Sequence, residues 1–192
     1  MKAILLLIPL LFSACGKPTE VRKSTPEETT EIARAAAQEA FQSLSAELTK
    51  AMADGGPVSA IPVCSEKAGS IIQQVAAKRK LEMIRLSDKP RNAAQQAKGA
   101  DFEAIESFRN TLKNGGVMKP QLESLDDGSA LVRAPIVISA PLCLQCHGGE
   151  KDIASETRKA VLGIYPADKA TGYQLNDLRG IWKIKVPAGA VP

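Results

Sequence analysis

An α+β fold, helices first and a small antiparallel sheet late, is the class that three observations predict. Apolar residues recur at helical spacing through the first half of the chain. Short alternating stretches bounded by turn residues crowd the second half. Between two of these stands Asp126-Asp127-Gly128-Ser129, the strongest hairpin signal in the sequence. The 192 residues suffice for one domain with its own core, and a net charge of +4 does not point to a nucleic-acid partner.

Each element has a local reason. Thr25-Pro26-Glu27-Glu28 is a helix start, with Thr as N-cap, Pro in the first turn and Glu placed to close a capping box. Ile32, Ala36, Ala40, Phe41, Leu44, Leu48 and Met52 then share a face until Asp54-Gly55-Gly56-Pro57 ends the helix. A second helix is expected over 61–78, with Cys64, Ala68, Ile71 and Val75 on one side. Residues 81–86 read as a strand, ended by the turn Ser87-Asp88-Lys89-Pro90. Asp101 opens a third helix that carries Phe102, Ile105, Phe108 and Leu112 and stops at Asn114-Gly115-Gly116. Strands over 117–125 and 130–139 flank the hairpin turn, and a short helix over 153–162 closes at Gly163. Trp182, Ile184 and Val186 alternate with Lys183 and Lys185, as in a strand buried on one face.

The chemistry concentrates in Cys143-Leu144-Gln145-Cys146-His147, the attachment signature of a c-type haem. Two thiols at this spacing can each form a thioether to one porphyrin vinyl group, and the adjacent His147 then ligates the iron. Zinc binding would want a second ligand pair at normal spacing, and a redox dithiol would want a reducing compartment. Aromatic residues are only 4% of the chain, so haem and aliphatic side chains must supply much of the core's bulk.

Compartment supports the haem reading. Residues 1–14 read as a signal peptide, with Lys2 in the positive region and a short apolar stretch from Ala3 to Phe12. Leu11-Phe12-Ser13-Ala14 before Cys15 resembles the lipobox of bacterial lipoproteins, which makes Cys15 the lipidation site and 15–24 a polar tether. The expected organisation is therefore signal peptide 1–14, tether 15–24 and a haem domain over 25–192. Export to the periplasm, with a lipid anchor in the membrane, matches where c-type haem is attached.

Of four cysteines, lipid takes Cys15 and thioethers take Cys143 and Cys146, leaving Cys64 without a partner. His147 is the only histidine, so bis-histidine ligation is excluded by composition. For the sixth iron ligand the residues leave Cys64 and Met118 level. Met52 and Met83 read as packing on apolar faces.

Several segments occur together in consistent order: Ile61-Pro62-Val63-Cys64, Arg85 to Asn92, the haem motif with Gly148, Tyr165 to Tyr173, and Asp177-Leu178-Arg179-Gly180. Over about Thr30 to Pro187 they resemble the bacterial and cyanobacterial family of single-haem c-type proteins with a PAS-like fold. That resemblance implies a PAS-like antiparallel sheet with flanking helices, and iron ligation by His147 and Cys64. In this sequence Arg91-Asn92-Ala93 lacks a proline that the family often carries after the first asparagine. Arg85 or Arg91 is a candidate partner for a haem propionate. Tyr165, Asp168, Tyr173 and Arg179 are expected to serve mostly the fold.

The functional expectation is a lipid-anchored periplasmic cytochrome with one covalent haem c, acting as a redox or gas sensor and not as an enzyme. Its expected partners are haem, the membrane and a redox or signalling protein. A plain electron-transfer cytochrome c is the alternative. A peroxidase would want an acid-base group opposite His147, and the sequence offers no second histidine for it.

Overall fold

The computed structural model describes residues 24–191. The expected signal peptide, Cys15 and all of the tether except Ser24 lie outside them. The first helix, α1 (Pro26–Pro62), begins as its sequence dictates. Thr25 accepts from the Glu28 amide while Glu28 accepts from the Thr25 amide, a complete capping box. The Gly-Gly break does not end the helix. Gly55 and Gly56 leave helical geometry, Gly56 at φ 69°, and helical turns resume at Pro57. Glycine takes this left-handed conformation without the Cβ penalty of other residues, so the chain kinks and continues.

Beyond Pro62, which offers no amide to the helix, the backbone widens into a π turn (Val63–Lys67) before α2 (Ala68–Arg79). This extra residue shifts the phase of the expected second helix. Ala68 and Val75 are buried as expected, but Cys64, expected on the same side, is exposed, and Ile72 takes the core position expected of Ile71.

The sheet is antiparallel throughout, in the order β1-β4-β3-β2. Its strands are β1 (Glu82–Leu86), β2 (Gln121–Ser124), β3 (Ala130–Val137) and β4 (Leu178–Val186). The hairpin turns at the expected place, with Gly128 at φ 78° and the Asp127 carboxylate accepting from the Ser129 amide. Between the strands lie α3 (Ala100–Lys113), α4 (Pro141–His147) and α5 (Ser155–Ile164). Gly163 falls inside α5, one residue before its end, and does not stop it.

Alternation along the strands gives the sheet two faces. On one, Met83, Val132, Ala134, Trp182, Ile184 and Val186 pack against Ile32, Ala33, Ala36 and Ala40 of α1 and Ile72, Val75 and Ala76 of α2. The fully buried alanines of α1 let its backbone approach the strands closely. On the other face, Ile181 meets Ala104, Ile105 and Phe108 of α3. Burying each of the large side chains contributes about 1.5–3 kcal/mol over leaving it in water. Phe102, expected on the same stripe of α3, is 42% exposed instead. This is a mixed α+β fold, four antiparallel strands flanked by helices with a long helix at the N-terminal side. Among the described residues no helix is long and apolar enough to cross a membrane.

Candidate functional site

The apolar stripe of α1 divides into two uses. Its first half covers the sheet, whereas Phe41, Leu44, Leu48 and Met52 further along line a cavity of about 310 Å³. The π turn brings Cys64 to that cavity, and α4 brings Cys143, Cys146 and His147. The sheet contributes Arg85, Trp182 and Gly180, and the segment after α5 contributes Tyr165. Residues far apart in sequence therefore meet in one largely apolar cleft with a few polar groups, the usual character of a cofactor site.

His147 is held by its neighbours in a defined state. Its Nδ1 lies 2.7 Å from the Ala170 carbonyl oxygen. A carbonyl only accepts, so Nδ1 carries the proton and Nε2 keeps its lone pair free to bind a metal. Burial pushes the His147 pKa well below its usual value, and the guanidinium groups of Arg179 and Arg91 push the same way. The imidazole is thus neutral, as a metal ligand must be. Tyr173 meets the ring edge-on, with centroids 6.4 Å apart. Gly148 follows immediately; a Cβ there would lie 2.7 Å from the Leu144 carbonyl oxygen and 2.6 Å from Asp152, so only glycine fits.

The Tyr165–Tyr173 segment is tied by backbone hydrogen bonds to the end of α4. Gly172 and Tyr173 amides donate to the carbonyls of Gly148 and His147 at 2.8 and 3.0 Å, and the Lys169 amide donates to Pro90 at 3.1 Å. Arg91 completes the brace: it pairs with Asp168 at 3.1 Å and donates to the Cys146 carbonyl. Asp168 also accepts from the Ala170 amide at 2.8 Å, steadying the residue that holds His147. The motifs that appear scattered in the sequence form one scaffold around the imidazole.

Burial pushes the Cys146 thiol up, and the neighbouring Arg91 charge only partly opposes this. Among the described residues, no three His, Cys, Asp or Glu side chains gather as a metal-ion site.

Sequence reasoning paired Met118 with Cys64 as candidate sixth ligand, and the structure separates them. Met118 packs with the α3 face of the sheet, against the cluster of Ile105, Phe108 and Ile181. Met52, set aside as packing, lines the cavity with Cys64. Its apolar periodicity is the same for a core position and a cavity wall, which is why the pattern did not distinguish them. Arg179 and Tyr165 are among the residues that the sequence assigns mostly to the fold. Arg179 does bond Ser87 Oγ at 2.9 Å and stacks over Tyr173 at 5.4 Å, yet both residues line the cavity.

A family model described as Tll0287-like matches residues 19–187. Among solved structures, the chain is similar to the crystal structure of the cyanobacterial heme-protein Tll0287, at a TM-score of 0.60 and 21% identity. That likeness covers 85% of this chain and 97% of the other, and it concerns the fold. No curated protein matches the chain.

Proposed function

This chain belongs to the Tll0287-like family, and we propose that it is a haem-binding protein, its haem c attached covalently and a sensor of redox state or a small gas. The observation that carries this reading is the meeting of Cys143, Cys146, a neutral His147 and Cys64 around one cavity. Bound haem iron supplies one-electron chemistry and an axial position for a small ligand. The residues present fit such a group. Cys143 and Cys146 stand three residues apart on α4, on adjacent turns, to form thioethers, and Nε2 of His147 is left free by the Ala170 contact. Cys64 stands on the π turn beyond the Gly-Gly kink, the least regular part of the helical layer. Such π turns recur at functional sites. A thiolate held there and released on reduction would give the two-state element that sensing needs.

The four-stranded sheet is compatible with a PAS-like scaffold, and in that setting the chain is not an enzyme but passes its signal to a redox or signalling partner. Export to the periplasm with Cys15 lipidated belongs to the same proposal, as does the division into signal peptide, tether and haem domain. Met52 at the cavity favours a second reading, an electron-transfer cytochrome with thioether ligation. Absorption spectra of periplasmically matured protein test both: ferric, then reduced, then reduced with CO. A thiolate-type ferric spectrum lost on reduction, with CO binding, is the expected result. Unchanged ligation in both states and no CO binding would establish the electron carrier. Absence of any haem spectrum would end both readings.

A further inference from the structure

Three arginines line the cavity, and two of them are already committed. Arg91 is held by Asp168 and the Cys146 carbonyl. Arg179 is held by Ser87 and the Lys89 carbonyl, and it lies over the Tyr173 ring. Arg85 is different. Its Nε is shut off from solvent without a hydrogen-bond partner, and among the described residues none of its donors enters a hydrogen bond or ion pair. Its guanidinium carbon lies over the ring of Trp182, 5.9 Å from the ring centroid, with Cys64 and Tyr165 among its neighbours. A guanidinium offers five N–H donors in a planar fork, and leaving them unmatched out of water is costly.

Among the described residues no carboxylate lines the cavity. Asp168 pairs with Arg91 at 3.1 Å, and Asp88 pairs with Arg109 at 2.6 Å. The cavity wall therefore carries more positive than negative charge, with one fork facing no acceptor. Resting on the haem reading above, we propose that Arg85 is the carboxylate-binding group of this cavity and takes a haem propionate, with Arg179 as the flanking cation. The fork geometry of guanidinium matches a carboxylate bidentately, which a point charge does not. This choice also settles which candidate arginine does the work: Arg91 braces α4 and Arg85 meets the guest.

The test compares holoprotein carrying native Arg85, Arg85→Gln and Arg85→Lys, by midpoint potential and by the propionate-bending bands in the resonance Raman spectrum. Removing a cation from the haem cavity would favour the ferric state, so Arg85→Gln should lower the potential and shift the propionate band. Arg85→Lys, which keeps the charge but not the fork, should restore most of the potential and leave the band shifted. A Gln variant with native potential and native band overturns the proposal, while its haem content shows that the haem reading survives. Should the Gln variant fail to accumulate, an unshifted band in the Lys variant is enough to overturn it. Inorganic phosphate, titrated at constant ionic strength, separates the two sources of anion. A potential that moves with phosphate in the native protein but not in Arg85→Gln would assign Arg85 to a diffusible anion instead. No haem in the native protein would remove both proposals together.

Discussion

Arg133 and Arg85 stand on opposite faces of the same sheet, and the protein treats them in opposite ways. Arg133, on β3, is 8% exposed at its side chain and bonds Asp101 and Glu123, each at 2.7 Å. Lys183 on the neighbouring strand shares Asp101 at 2.8 Å. Arg85, on β1, faces Trp182 and has none of these partners. A chain that satisfies one enclosed cation with two carboxylates has the means to satisfy the other. Leaving it unmatched beside a cavity costs stability, and such groups usually answer to something outside the chain. The enclosed cation of the α3 face is satisfied within the chain, whereas that of the α1 face, on the proposal above, is matched by a guest.

The largest effect should come from breaking the satisfied face. Asp101→Asn removes the charge on which Arg133 and Lys183 converge, and losing one partner of an enclosed pair typically costs about 3–5 kcal/mol. Burial pushes the Asp101 carboxyl up, but the hydrogen bonds and charges of Lys183 and Arg133 outweigh it and hold the carboxyl below its usual range. Its contribution is therefore complete above the unfolded carboxylate pKa of about 4 and lost as pH falls through the lower folded value. Urea unfolding should show a large gap between native and Asp101→Asn protein at pH 7. That gap should close as pH falls through the lowered folded value, where native Asp101 becomes protonated too. A gap that stayed constant with pH would mean that the network contributes shape and not charge.

A smaller effect tests the wall of the cavity. At Gly180 a Cβ would lie 2.3 Å from the Leu86 carbonyl oxygen, so β1 and β4 approach there more closely than any side chain permits. Gly180→Ala must push the strands apart next to Arg85, at an expected cost of about 1–3 kcal/mol. The measurement is a denaturation midpoint together with haem content. If stability fell without loss of haem, the strand contact would be a matter of the fold alone and the cavity would tolerate movement of its wall.

How much of this was legible beforehand depends on the kind of signal. Capping boxes, turn chemistry and alternation act over a few residues, so the start of α1, the hairpin and β4 could be read directly. The haem motif is equally local. Continuation of α1 past Gly55 and Gly56 was not legible, because the same glycines serve a stop or a kink and tertiary packing decides. The π turn was hidden for a similar reason: it adds a residue without changing composition, and it moved the core position from Ile71 to Ile72. At the site, periodicity showed that Met52 faces inward but not whether inward meant core or cavity. Arg85 and Arg91 looked alike as charges near a turn. Only the placement of Asp168 and the Cys146 carbonyl, one 77 and the other 55 residues away from Arg91, tells them apart.

The smallest effect carries the sharpest form of the comparison. In a haem-free background, Cys143→Ser with Cys146→Ser, the cavity holds no covalent guest and Arg85 gains nothing from it. Arg85→Met there exchanges a cation with an unmatched, solvent-excluded Nε for an apolar chain of similar length. What is lost is its stacking on Trp182, worth about 0.5–2 kcal/mol. What is relieved is the desolvation of an unmatched polar group, about 1–3 kcal/mol. These oppose each other, so the unfolding free energy from urea titration should change by under about 1 kcal/mol, or rise slightly. Arg133→Met in the same background leaves Asp101 with Lys183 as its one remaining cation and should lose several times as much. Equal losses from the two substitutions would show that Arg85 finds partners within the chain itself, and the two faces would then differ in packing but not in purpose.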